Sequence, residues 1–354
     1  MLNNTLRREH GQSIVLITLL MVGLIAILGL VFDGGNAYLQ RRRMQDAADA
    51  SAFAGAKMLA LAPNGSAVTE CAIRVVIETY AKSNGMPGPN PDPSCNSLNS
   101  NVKAYFVNAS GNQVGVEIGL NAGVPNGAQG VRVIPQTTFN TFFLGIVNES
   151  LGAVAATATA IYGGVKAPAS LAPLGVQCSQ ASLSSCFTPG NSYNIREGGG
   201  PGNFGWLSWN GENNAGYVAD ELDPNQNTLS GYIDPVTGCH SIAIGCWVQG
   251  APGNMNSNDI LAQLNNWITV GQSGTPMFVP IWDIAQPDNG NGGGANLDYH
   301  LVGFAAFVLQ GYDLTGGVNN PDSVTGKFVK FVTPGDFCGT GCMDTGLKTT
   351  ILTQ

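Results

Sequence analysis

The chain has 354 residues, room for two ordinary domains or one large one, and its 44% hydrophobic content supports a real core. Charged residues are only 11% and glycine is abundant, a texture of sheets and turns with polar, uncharged surfaces. Acids outnumber bases for a net charge of -8, and no Lys or Arg lies between Glu197 and Gly326, so the clustered cations that a phosphate backbone requires are missing and nucleic acid is excluded as a partner.

The first element is Ile14–Phe32, "IVLITLLMVGLIAILGLVF", which has no charge and one hydroxyl. A bilayer core about 30 Å thick takes roughly 20 helical residues, whereas the apolar part of an export signal is about 7–15 residues long. Length therefore favours a membrane anchor over a cleaved signal, although Gly35-Asn36-Ala37 has the small-x-small form of a cleavage site. Arg7 and Arg8 precede the span and Arg41, Arg42 and Arg43 follow it, so a count of positive charge leans against an exported C-terminus. The cysteines argue the other way. All eight follow the span, and an even set on one side of a membrane reads as disulfides in an oxidising compartment. The orientation taken is N-terminus inside.

Gly34 and Gly35 each cost a helix about 1 kcal/mol relative to Ala, which predicts a flexible joint at the membrane edge. Helical character resumes through Leu61, with Met44, Ala48, Ser51, Ala52, Gly55 and Leu59 on one face. That face either packs on the protein's own domain or, being small in the middle, packs against sister helices. A second helix is predicted from Ala67 to Lys82, followed by the loop "GMPGPNPDPSCNSLNS". "VKAYFVN" and "QVGVEIGL" form a predicted hairpin, "GVRVIPQ" a strand, "TTFNTFFLGIVN" a short apolar helix and "AVAATATAIYG" another strand. Lys166-Ala167-Pro168-Ala169 marks a boundary. Beyond it come short strands in "NFGWLSW", "CWVQ", "MFVPIWDIA", "LVGFAAFVLQGYDL" and "GKFVKFVTP", with one helix at about Ser257–Ile268.

The fold class is thus α+β: a transmembrane helix extended into a stalk helix, a small antiparallel sheet, then a β-rich domain. The predicted divisions are a cytoplasmic N-terminus at 1–13, the span at 14–32, an α+β region at 33–165 and a disulfide-bonded β-rich domain at 166–354. The candidate disulfides are Cys71–Cys95, Cys178–Cys186, Cys239–Cys246 and Cys338–Cys342, with other connectivities open. Zinc is disfavoured, since there is no C-x-x-C pair and only three histidines.

At the neck, Asp33-x-Gly35-x-x-Tyr38, then Arg42-Arg43-Met44-Gln45, then "AADASAFAGA" with Ala48, Asp49 and Gly55, resembles the N-terminal signature of the TadE/TadG-like family of Flp (tight adherence) pilus-assembly proteins. "RREHGQSIVLI" before the span fits the same pattern, and "VAATATA" is similar to the end of the family's first extracytoplasmic region. The later "GPGNFGWL" and "YHLVGFAAFVLQGY" also look like longer bacterial members. The resemblance implies a single-pass protein of the bacterial cytoplasmic membrane, minor pilin-like or pilus-associated, with a pilin-like α+β unit. Its partners would be the lipid bilayer, other Tad/Flp proteins and copies of itself through the N-terminal helix. It also implies a prepilin-peptidase site between Gly11 and Gln12, but the fifth residue after Gly11 is Leu16 where the family's pseudopilins have Glu. Family members with a von Willebrand A domain carry a D-x-S-x-S metal motif. Here Asp49-Ala50-Ser51-Ala52-Phe53 stops short of it, so that adhesion mechanism is not carried over.

Little in the sequence asks for catalysis. There is no G-x-S-x-G elbow, Walker loop or H-E-x-x-H motif. His240 beside Cys239 invites a Cys–His nucleophile, yet Cys246 stands ready as a disulfide partner, and a bonded thiol cannot attack. His300, alternating with apolar residues, reads as core support. Two loops carry hard oxygen donors: Asp220, Asp223, Asn225 and Asn227, and Asp288, Asn289, Asn291 and Asp298. They are Ca²⁺ candidates without EF-hand spacing, and solvated turns explain them more simply. "GGGPGNFGWLSW" lacks a phosphate loop's lysine and reads as a turn-rich strand entry. The reading is a non-enzymatic assembly protein without a cofactor. The rival is a membrane-anchored extracytoplasmic binding domain or hydrolase that borrows only the anchor.

Overall fold

The computed structural model describes residues 12–61, 70–120, 122–144, 151–179, 182–198, 204–212, 214–223, 225, 229, 231–251, 255–287, 297–316, 321–339 and 342–353. One helix, α1 (Gln12–Leu61), runs unbroken from the apolar segment into the domain. The joint predicted at Gly34-Gly35 is absent. Backbone i→i+4 bonds need no side chain, and Asp33 and Asn36, on either side of the pair, are both tied to the domain. The C-terminal half of α1 buries Met44, Ala48, Ala52 and Leu59 in a cluster with helix α2 (Glu70–Ser83) and the first sheet. A Cβ at Gly55 would meet Ile77 Cγ1 at 2.9 Å, so close approach of α2 is what requires glycine there. The small-residue face is therefore occupied within the chain, and sister helices do not have it available.

The second helix buries Glu70, Ile73, Arg74, Ile77, Glu78 and Ala81, the three-and-four spacing of one helical face with three charged residues in it. Each charge is answered. Glu70 accepts from Gly119 N, Leu120 N at 3.0 Å and Gly123 N at 2.7 Å, holding the turn that follows β2 (Gln113–Glu117). Arg74 bonds Glu78 at 2.7 Å and Glu117 at 3.2 Å. Its remaining donors reach the carbonyls of Ile118, Asn99 and Val102 at 3.2, 3.1 and 2.8 Å.

Strands β1 (Val102–Val107) and β2 form the predicted hairpin, closed by Asn108, whose side chain accepts from Ser110 N and Asn112 N at 3.0 Å each. Next come β3 (Gly130–Asn140), β4 (Leu151–Ala155) and β5 (Ala158–Pro168). Thr137–Asn140 continue β3 and pair antiparallel with β4, so the helix predicted over "TTFNTFFLGIVN" is not formed by its described part. Its apolar period is that of a hairpin arm with β-branched Thr137 and Thr138.

The second sheet contains β6 (Leu174–Gln177), β7 (Ser192–Arg196), β8 (Phe204–Ser208), β9 (Trp247–Gly250), β10 (Met277–Pro287), β11 (Leu297–Asp313) and β12 (Ser323–Val329), in the order β10-β6-β8-β9-β11-β12-β7. A further β10–β11 pairing closes β10, β6, β8, β9 and β11 into a ring. Helix α3 (Ala215–Leu222) and helix α4 (Asn258–Gln272), the latter predicted at about Ser257–Ile268 and capped by Ser257, cover one face.

The division at 165 does not describe the sheets. After β12 the chain returns to the first sheet as β13 (Phe331–Val332), β14 (Gly335–Cys338) and β15 (Leu347–Thr353), giving the order β13-β15-β5-β3-β1-β2 with β14 on β5 and β4 on β3. The last strand pairs with β5 from Gly164 to Thr159, and β14 pairs with its remainder up to Pro168. A common cluster holds the sheets together, Val165 and Leu347 of the first against Trp282, Leu301 and Phe304 of the second.

Candidate functional site at the neck of the apolar helix

The apolar half of α1 projects alone. Its most apolar 18-residue window has a mean hydropathy of 3.1 and is 6% buried, the composition of a membrane span. Within the described part of that half, Gly29 is the one residue shielded before Asp33. Both are covered by the same object, the turn Phe142–Leu144 at the far end of β3. Asp33 is only 4% exposed, although it ends an exposed run. Its Oδ1 accepts from Phe142 N at 2.7 Å, and its Oδ2 accepts from Phe143 N at 3.0 Å and Leu144 N at 2.8 Å. Phe143 lies so close to Gly29 that a Cβ there would meet Phe143's own Cβ at 2.6 Å, and its ring stacks on Phe32 at 6.2 Å between centroids. One turn further up, Asn36 donates to Asn140 O at 3.3 Å. Gly29, Asp33 and Asn36 follow i, i+4, i+7, so one helical face receives the descending β3 arm.

This gives Asp33 a structural role that sequence reasoning did not foresee. The signal was present as a lone acid at the end of an apolar run, but its partners lie more than a hundred residues away. The other signature positions divide by face. Tyr38 is 67% exposed, and Arg42, Arg43 and Gln45 are also exposed. Gln45 donates to Asp49 Oδ1 at 2.8 Å along the helix. Ala48 and Gly55 face the core, whereas Gly35 has open space around it. Gly11 lies outside the described residues, and Gln12 is the first residue of α1.

The structure joins Cys71 to Cys95, Cys178 to Cys186 and Cys338 to Cys342. It leaves Cys239 and Cys246 as separate thiols, which corrects the fourth pairing. Cys246 is buried with Sγ against Ser241 O at 3.5 Å, and burial, ahead of its other neighbours, raises its pKa, while Cys239 is exposed. A thiol kept protonated by burial is a poor nucleophile.

The Ca²⁺ candidates do not converge. Asp220 is on the exposed side of α3, Asp223 follows its end and accepts from Asn225 N at 2.8 Å, and Asp298 is buried on β11. Asp288 lies outside the described residues. Among the described residues no group of three or more His, Cys, Asp or Glu is placed to hold a metal ion.

His300 is not core support. It is half-buried on β11, its Nδ1 is 2.8 Å from Asp283 Oδ1 on β10, and its ring packs on Trp247 at 5.1 Å. The pair lines an open cavity of about 430 Å³ with Ser179, Cys178 and Cys342. A carboxylate on Nδ1 orients an imidazole, which is half of a general-base arrangement.

A family model described as "Putative Flp pilus-assembly TadE/G-like" matches residues 11–58, the span, the neck and most of the buried stalk. The chain matches no curated protein and no solved structure.

Proposed function

Because its N-terminal segment is TadE/G-like, we propose that this protein is a single-pass, membrane-anchored component of a Flp-type pilus assembly or secretion system, minor pilin-like or pilus-associated. The carrying observation is that the matched segment combines a bare apolar half-helix with a half packed on an antiparallel sheet, the division a pilin-like subunit uses to stand in a membrane. The N-terminus is cytoplasmic and both sheets lie outside, where the three disulfides form. Lateral contact with pilus subunits, or with copies of itself, falls to the exposed residues of Ile14–Phe32, since the alanine face is spent on the domain. Tyr38 stands at headgroup level, and Arg41–Arg43 meet lipid headgroups or acidic partners. Deletion of the gene should abolish or shorten pili and reduce adherence. Normal pili and normal adherence would sink the proposal. The sequence of the mature N-terminus decides processing at Gly11, since an intact Met1 excludes cleavage there.

The rival, an anchored binding domain or hydrolase, draws its support from the His300–Asp283 cavity. If His300→Ala abolished a ligand-binding or hydrolytic activity while leaving pili unchanged, that reading would replace the first.

A further inference from the structure

We infer that the turn Phe142–Leu144 is a second membrane element, lying in the lipid bilayer beside the span with Asp33 as the latch that holds it there. The inference rests on the anchor reading of α1. Phe143 reaches Gly29, four residues inside Asp33 and about 6 Å further along the helix at 1.5 Å per residue, so the turn covers the last turn of the apolar run, from Gly29 to Asp33. Its neighbours turn outward: Phe142 is 71% exposed and Leu144 is 44% exposed. They continue the apolar surface of Leu30, Val31 and Phe32, each at least 60% exposed. An aqueous occupant has no use for such a continuous surface, whereas acyl chains already surround it on the helix side.

Irregular backbone is tolerated at that depth only when its polar groups are satisfied by protein. The Asp33 carboxylate meets this requirement for the donors, since one side chain accepts from all three N–H groups of the turn. The need is mutual, because a carboxylate at the end of an apolar run also requires donors. Gly29 supplies the room that lets the Phe143 side chain approach the helix, since a Cβ there would meet Phe143 Cβ and Cγ at 2.6 and 2.8 Å. The element would fix the rotation of the helix relative to the sheets at the membrane surface, a rigid collar where sequence alone predicted a hinge.

The test uses the full chain in phosphatidylcholine vesicles with acyl chains brominated or plain. All five native tryptophans lie at or beyond Trp206, in the second sheet, just after β8 or on α4, and provide a background outside the span. Three single variants are compared: Phe142→Trp, Leu24→Trp within the span, and Ile284→Trp, a residue 56% exposed on β10. Bromination should quench the added emission at positions 142 and 24 at least two-fold and leave that at 284 unchanged. Quenching at 24 without quenching at 142 overturns the inference while sparing the anchor. Absence of quenching at 24 overturns both. With Asp33→Ala added, quenching at 142 should fall towards the level of position 284 while that at 24 persists. Undiminished quenching at 142 would overturn the latch.

Discussion

Arg74→Met removes a guanidinium that is 1% exposed while keeping most of the stem that packs in the core. The lost contacts are the ion pairs to Glu78 and Glu117 and the donations to Ile118 O, Asn99 O and Val102 O. Glu78, 4% exposed, keeps Asn99 N at 3.1 Å as a donor but loses its counter-charge. Breaking a buried pair by deleting one partner costs about 3–5 kcal/mol, because the survivor stays desolvated. Since 1.4 kcal/mol is a factor of ten, α2 amides should exchange with solvent roughly a hundred- to several-thousand-fold faster wherever they open with the α1–α2–sheet unit. Hydrogen exchange on the detergent-solubilised chain measures this directly, with α4 as the unaffected reference. Adding Glu78→Met should recover part of the loss, as apolar replacement of both partners relieves the stranded charge. A change in α2 under about tenfold, or equal acceleration in α4, would refute the claim that Arg74 pins the stalk domain.

Gly55→Val places a branched side chain against Ile77 and should cost about 1–3 kcal/mol by overpacking, seen as a lowered unfolding midpoint; an unchanged midpoint would count against the close α1–α2 approach. Paired Cys71→Ser and Cys95→Ser, which open a link spanning 24 residues, should cost about 3 kcal/mol by loop entropy, measured in denaturant. Alkylation without reductant should label Cys239 and spare the six bonded cysteines, whereas recovery of a Cys239–Cys246 peptide would restore the fourth pair. Asp234 is buried, which by itself raises its pKa, but N–H donors at Thr237, Trp247 and Val236 (2.7, 2.8 and 2.8 Å) outweigh this and lower it. Its contribution is therefore complete above the unfolded carboxylate value of about 4 and is lost as pH falls through the lower folded value. Asp234→Asn should flatten that acid-side decline, and an unaltered decline would remove Asp234 as its source.

Local chemistry made much of the scaffold legible. The helix at about Ser257–Ile268 and the hairpin of "VKAYFVN" with "QVGVEIGL" were legible because their periods are local, and the structure adds the Ser257 cap and the Asn108 turn that close them. The helix predicted over Thr137–Asn148 is not formed by its described part because a short apolar run suits either period, and pairing with β4 decided that Thr137–Asn140 would be strand. Four short strands, β6, β7, β14 and β15, carried too little pattern to be seen before their partners were known.

The sequence by itself determined the apolar span, the acidic net charge, the family signature and the α+β class, since each is a property of composition or near-neighbour spacing. Only the tertiary structure decided that β15 closes the first sheet, that Gly34 and Gly35 stay helical, and that His300 meets Asp283. It alone turned Asp33 from a signature residue into the acceptor for Phe142–Leu144. These outcomes share one physical reason. A buried carboxylate or a strand edge is satisfied by whatever donor the fold brings near, and sequence distance carries no record of which donor that is.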